Sequence, residues 1–300
     1  SLSAEHAELL ASSPTLIYKL RYENGIATPV MLSGNVVRML GYSYAEATSP
    51  GWWWSNIYED DRDRVAASQP DLLEHGELDL CYRFRHRNGQ LLWIRDQERL
   101  IRRKPLETVG SWNDVTEEML SAQVRAARMS IRERMFNGQP LDEILTYCAE
   151  QIRHCFPSCH AAIIRLVDNG PPRITDTGLG AAYVEAVADR AATLKALLGD
   201  PGQDSQLLGS TTDPVTARDC HRALIEAAGF ADAFHLPLRG SNGRLLGLLG
   251  AYCPGAATDP GNPDIRRLAE FGQIAALAVE RSEQEQLQRQ TLAALADTRD

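Results

Sequence analysis

The chain has 300 residues, 44% hydrophobic and 24% charged, which is enough for about two domains with separate apolar cores and too long for a small disulfide-stapled scaffold. No run approaches the roughly 18 consecutive apolar residues that cross a bilayer, so no membrane span is expected in this segment. With 31 Lys and Arg against 40 Asp and Glu the net charge is −9, which repels phosphate backbones and argues against a nucleic-acid partner. Cysteines at 81, 148, 155, 159, 220 and 253 lack a regular spacing and read as reduced thiols of a cytoplasmic protein. The start at Ser1, with no leader and no initiator Met, suits a piece of a longer protein.

Residues 1–13 read as an N-terminal helix. Leu16 to Tyr22 and Thr28 to Leu32 flank Asn24-Gly25 and predict a hairpin, because Gly supplies the positive φ of a tight turn. Short helices are expected from Asn35 to Asp71, broken at Gly41, Pro50 and Pro70. Strand-like runs follow at Leu78 to Arg87, Leu91 to Arg102 and Thr108 to Val115, the first two joined by Asn88-Gly89. A strand pair, a helical crossover and a strand trio make an antiparallel sheet with helices along one face, an α+β arrangement.

The residues carrying this pattern are Gly34-Asn35, Met39-Leu40-Gly41-Tyr42-Ser43, Trp54 ahead of Ile57-Tyr58-Glu59-Asp60-Asp61-Arg62, Tyr82-Arg83-Phe84-Arg85 with Asn88-Gly89, and Asp114-Val115-Thr116. In this order they resemble the PAS family over residues 14–117. One departure is Tyr58-Glu59, where the family often has His-Pro. The resemblance implies a sensory domain in which Asp114 and Thr116 join the core to the helix that follows.

All five Trp lie at or before Trp112, and from about residue 120 the sequence becomes rich in Ala and Leu, which favours a second core. At the seam, Leu120, Val124, Ala127 and Ile131 form a helical stripe with Arg125, Arg128 and Arg132 between them, read as a helical linker over 118–136. Beyond it the pattern predicts a helix with Leu141, Ile144, Leu145 and Cys148 on one face, strands at Ala161 to Val167 and Arg173 to Thr177, and helices at Ala181 to Leu198 and Ala217 to Ala228. A loop is expected from Gly199 to Thr212, then strands at Ala233 to Arg239 and Arg244 to Cys253, and a long helix from Pro263-Asp264. Pro237-Leu238, Gly243 to Leu249 and the run Ile274 to Arg281 resemble the GAF family over about residues 135–283, within a second domain placed at 137–283. Residues 284–300 read as a connector helix to an absent output domain. The fold class is therefore α+β, two domains each with an antiparallel sheet and flanking helices, PAS-like then GAF-like, joined by a helical linker.

Candidate chemistry is sparse. His154, Cys155, Cys159 and His160 are potential metal ligands, but Cys155 shares an apolar helix face with Cys148 and Ile152 while Pro157 ends the helix, so the four should diverge and no metal site is expected. Cys220 beside His221 points about 100° away from it on a helix, a poor thiolate–imidazole pair. Cys220 and Cys253 are the pair a thiol-dependent redox enzyme would use, and this is the alternative function of a different class. His75, which the PAS resemblance puts near where some haem-binding members place their iron ligand, is flanked by Glu74 and Glu77 and reads as exposed. Flavin and bilin attachment motifs are absent, so no cofactor is expected. Of Trp52, Trp53 and Trp54, at least one should be exposed. Residues 81–104 carry eight basic and two acidic side chains, with Arg83, Arg85 and Arg87 alternating along a strand, which reads as a solvated sheet face.

The expected function is a non-catalytic input module of a bacterial signalling protein that passes a ligand or state change through helices to an output outside this chain. Cyclic di-GMP synthesis or hydrolysis is the favoured output and a sensor histidine kinase the alternative, so the full-length protein, unlike this segment, is expected to be an enzyme. Expected pocket linings are Tyr18, Met31, Trp54, Tyr82 and Trp93 in the first domain and Ile164, Tyr183, Phe234 and His235 in the second. Expected relay residues are Trp112, Asp114, Thr116, Leu120, Val124 and Ile131. Expected partners are a second copy, through the linker and C-terminal helices, and an unidentified small molecule.

Overall fold

A computed structural model of the chain describes residues 8–23, 26–157, 159–167, 170–176, 178–198, 215–230, 233–252 and 263–297. The Asn24-Gly25 turn, Cys253, the 199–212 loop and residues 1–7 of the expected first helix lie outside the described residues. Residues Ser1–Leu120 form one compact unit and Ser121–Asp300 a second.

In the first unit, strands β1 (Leu16–Glu23) and β2 (Ile26–Leu32) lead into short helices α1 (Val36–Leu40), α2 (Tyr44–Ala47) and α3 (Trp52–Asn56), then α4 (Arg62–His75) and strands β3 (Glu77–Arg85), β4 (Leu91–Arg103) and β5 (Leu106–Asp114). The sheet runs β2-β1-β5-β4-β3 with all pairs antiparallel. Period-two alternation turns Leu16, Tyr18, Tyr82, Phe84, Ile94 and Trp112 to one face, where Val36, Leu40, Ile57 and Val65 from the helical crossover complete the core. Asn35, almost fully buried, pins the crossover to the N-terminal segment. Its amide donates to the Ser13 and Thr15 carbonyls at 2.9 Å each, and its oxygen accepts from Ser33 Oγ.

Helix α4 runs through Pro70, where a break was expected. Val65 and Leu72, seven residues apart, hold one face of α4 in the core. Pro70 and Ala66 lie on its exposed side, so the Ala66 carbonyl freed by the missing N–H can bond water.

In the second unit, helices α5 (Thr116–Phe136) and α6 (Leu141–Cys155) precede strands β6 (His160–Arg165) and β7 (Arg173–Asp176). Helices α7 (Ala181–Leu198) and α8 (Val215–Ala228), strands β8 (Ala233–Arg239) and β9 (Leu245–Tyr252) and helix α9 (Pro263–Asp297) follow. The sheet order is β7-β6-β9-β8, again antiparallel. Both faces are covered, which explains the nearly continuous apolar strands: Ala161, Ile163, Leu249 and Ala251 pack with α5, α6 and α9, and Ala162, Ile164, Leu248 and Tyr252 pack with α7 and α8.

The stripe read as a linker is more than a linker. Val124, Ala127, Ile131 and Met135 of α5 are buried in the second unit's core with Ile144, Leu145 and Phe271. A spacing of four and three is what any helix uses to enter a core, so the stripe alone could not separate a free connector from a core helix. The thiols also differ from expectation at one place. Cys81, Cys148, Cys155 and Cys220 are free, but Cys159 is held in a disulfide.

Candidate functional site

The densest polar cluster in the first unit centres on Asp96 of β4. Along that strand Ile94, Asp96 and Glu98 alternate inward, opposite in phase to Arg95, Gln97 and Arg99. Asp96 and Glu98 are 5% and 6% exposed, as buried as the hydrophobic core around them. Tyr18 donates its hydroxyl to Asp96 Oδ1 at 2.6 Å and Tyr82 donates to Oδ2 at 2.9 Å. The Trp53 indole N–H in turn donates to the Tyr82 oxygen at 2.9 Å. Glu98 Oε1 accepts from Tyr22 at 3.0 Å and from Thr108.

The cluster fits because Gly110 sits opposite Tyr18 on β5. A Cβ at Gly110 would lie 2.2 Å from Tyr18 Cζ. Trp52, Phe84 and Trp112 fill the neighbouring space, with ring centroids 5.3 to 6.2 Å apart. Burial pushes the Asp96 carboxyl up to about 7 against the hydrogen bonds from Tyr18 and Tyr82, with the nearby Glu98 charge adding to the rise. Glu98 is likewise raised by burial, partly offset by Thr108 and Tyr22. Tyr18 and Tyr82 lie well above the usual phenol range, first from burial and then from the Asp96 charge.

Of the five expected first-unit linings, Tyr18 and Tyr82 meet at this cluster. Met31 pairs with Lys19, and Trp93 pairs with Arg83, on the opposite face of the sheet. There the Arg83 guanidinium lies 4.2 Å from the Tyr58 ring centre and 5.5 Å from that of Trp93. Trp54 is 40% exposed, whereas Trp52 and Trp53 pack against the core. Asp96 and Glu98 were missed. The available signal was their place in phase with Ile94, obscured by the basic residues on either side.

The end of β5 is tied to the start of α5. Thr116 N donates to Asp114 Oδ1 at 2.9 Å, the Thr116 hydroxyl donates to the same oxygen, and Trp93 N donates to Thr116 Oγ1 at 2.8 Å. Val115 N adds a bond to the Trp93 carbonyl. Three expected relay residues thus have distinct places: Asp114 and Thr116 cap α5 and fasten it to β4, and Trp112 closes the ring cluster. Val124 and Ile131 are core residues of the second unit and Leu120 is half-buried.

In the second unit, Ile164, Tyr183 and His235 share the face covered by α7 and α8, joined by Tyr252, which sequence reasoning did not single out. The Tyr252 hydroxyl donates to Tyr183 at 2.8 Å and stands 2.7 Å from His235 Nε2, all buried. Burial raises both phenols. Phe234 pairs with Ala251, whose side chain belongs to the opposite face, and alternation places Phe234 there too.

The thiols are poor nucleophiles, because burial pushes Cys148 up to about 12 and Cys155 up to about 11 and raises Cys220. Among the described residues no group of three His, Cys, Asp or Glu lies close enough to hold a metal. His75 is the exposed last residue of α4. Five arginines of the basic stretch are ion-paired: Arg83 pairs with Asp61 at 2.9 Å, Arg85 with Glu59, Arg87 with Glu46, Arg95 with Asp79 and Arg99 with Glu77.

Comparison with known proteins places part of this arrangement. The two-component sensor PprA of Pseudomonas aeruginosa is 31% identical over 159 residues, which is 50% of this chain, and the match spans only 17% of the length of PprA. Among solved structures, the N-terminal domain of a diguanylate cyclase with a PAS/PAC sensor from Marinobacter aquaeolei is 20% identical, with a TM-score of 0.32, over 35% of this chain and 98% of that one. A sensory box histidine kinase/response regulator from Burkholderia thailandensis is 25% identical, with a TM-score of 0.34, over 43% of this chain and 98% of that one. The family model described as the PAS fold matches residues 29–113, from within β2 to the residue before Asp114. The first unit is therefore similar to the PAS fold over residues 29–113.

Proposed function

We propose that this chain is the non-catalytic input segment of a bacterial two-component sensor, in which the PAS domain registers a stimulus and α5 carries it onward. The observation that supports this most is the junction at Asp114 and Thr116. Two hydrogen bonds cap α5 on the last PAS strand, and a third fixes it to the backbone of β4. A change in the sheet therefore acts on the helix start directly. The 31% identity to a two-component sensor favours a phosphotransfer output. Cyclic di-GMP turnover is the second reading. The second unit is read as GAF-like, on the strength of a four-stranded antiparallel sheet with helices on both faces. A small-molecule ligand, a second copy of the chain paired through its helices and a cytoplasmic location complete the proposal. Incubating the complete gene product with labelled ATP and, separately, with GTP tests the output. Autophosphorylation that changes in a Thr116→Ala variant supports the first reading, cyclic di-GMP formation supports the second, and neither product overturns both.

A further inference from the structure

Asp96 and Glu98 are two carboxyl groups in one hydrophobic core, and among the described residues neither pairs with a Lys, Arg or His side chain. Removing a carboxylate from water without a counter-ion is strongly unfavourable, so such a group holds a proton more readily than one at the surface. The groups around this carboxyl pair come from every neighbouring element: Tyr18 from β1, Tyr82 from β3 and Trp112 from β5 at Asp96, Tyr22 from β1 and Thr108 from β5 at Glu98, and Trp53 from α3 behind Tyr82. The charged side chains Lys19, Arg21 and Arg102 each pair with Glu107 on the other face of the sheet.

The hydrogen bonds fix what a proton does here. As a carboxylate, Asp96 accepts from Tyr18 on one oxygen and from Tyr82 on the other, so both hydroxyl protons point at it. As a carboxylic acid, Asp96 must donate through one of those oxygens, and a phenol that receives this bond must turn its own proton elsewhere. Tyr82 already accepts from Trp53 and, among the described residues, has no acceptor other than Asp96. Tyr18 has one, because Glu98 follows Asp96 by two residues on the same buried face of β4 and the Tyr18 hydroxyl is among the donors that offset its burial.

We propose that Asp96, Tyr18 and Glu98 form a proton-responsive site in the core of the PAS unit. Asp96 takes one proton from solvent, its bond to Tyr18 reverses direction, and the Tyr18 proton turns from Asp96 to Glu98. Release of the proton restores the first arrangement. The Tyr82–Trp53 bond weakens in the protonated state, because Tyr82 then donates to a neutral acid rather than to a charged one, and this passes the change to α3. The site needs no output domain.

All five Trp belong to the first unit, so indole resonances of the 15N-labelled chain report on this unit alone. A Trp53→Phe variant assigns the Trp53 indole. Between about pH 5 and about pH 9 this resonance is expected to shift with a one-proton transition near neutrality. The transition should be lost in Asp96→Asn. It should move to lower pH in Glu98→Gln, which removes a like charge, and to higher pH in Tyr18→Phe, which removes a donor to the carboxylate. These last two variants keep Asp96 and serve if the Asn variant fails to fold. A flat titration in the wild-type chain, a transition that survives in Asp96→Asn, or midpoints that do not move in the two other variants overturns the site.

Discussion

Tyr18 and Gly110 show how tightly one residue is constrained by its cross-strand neighbour. Gly110→Ala would drive a methyl group into the Tyr18 ring, which is 5% exposed and bonded to Asp96, so the ring must leave its place. The expected loss is about 3 kcal/mol, the upper end for overpacking a core, read as a lower urea midpoint of Trp emission. Asp96 sets the pH dependence of that same midpoint. Its folded pKa of about 7 exceeds the ordinary carboxylate value, so between about pH 4 and about pH 7 the folded state binds more protons than the unfolded chain. Its contribution to stability is therefore full below that window, falls by a few kcal/mol as pH rises through it, and stays low above it. The urea midpoint of the wild type relative to Asp96→Asn should decline over the window, and a flat difference contradicts the assignment. Glu107 acts in the opposite sense. Hydrogen bonds from Lys19 and Arg21 hold it down to about 2, so its contribution is present above the ordinary carboxylate range and lost in strong acid. The sequence pointed to Tyr18 and Tyr82 as inward-facing aromatics but not to Asp96, because an acid within eight basic residues reads as surface until strand phase is applied to each position.

The elements were legible wherever one period dominated. Helix α7 and strand β8 fall at the expected bounds, since each is a single uninterrupted pattern between breakers. Pro70 misled because its helix-breaking effect depends on whether the freed carbonyl meets water, which one residue cannot reveal. Helix α5 misled in the other direction, because a connector and a core helix share one stripe. Two substitutions separate its two ends. Thr116→Ala removes the cap and the acceptor for Trp93 N, and should cost about 1 kcal/mol, seen as faster amide exchange at Trp93 and in the first turn of α5. Ile131→Ala removes a fully buried side chain and should cost about 2–5 kcal/mol in the second unit.

Across the whole chain the two cores offer separate optical handles. The five Trp report the first unit, while the helical signal comes largely from the second. Ile131→Ala should therefore lower the midpoint of far-ultraviolet circular dichroism and leave that of Trp emission in place, and coincident shifts would show that the units unfold together. At this scale, strand arginines from the locally basic stretch are matched by acids from α2, the turn at Glu59–Asp61 and β3. Helix α9 carries a mechanical consequence. Glu280 and Glu283 are clamped to the β8–β9 turn by Ser241 and Arg244, and from Gln286 to Leu295 every side chain is exposed. At 1.5 Å per residue the segment beyond Glu283 is a lever about 20 Å long, so a tilt of about 10° at the clamp swings its far end through about 4 Å, close to the separation of adjacent strands.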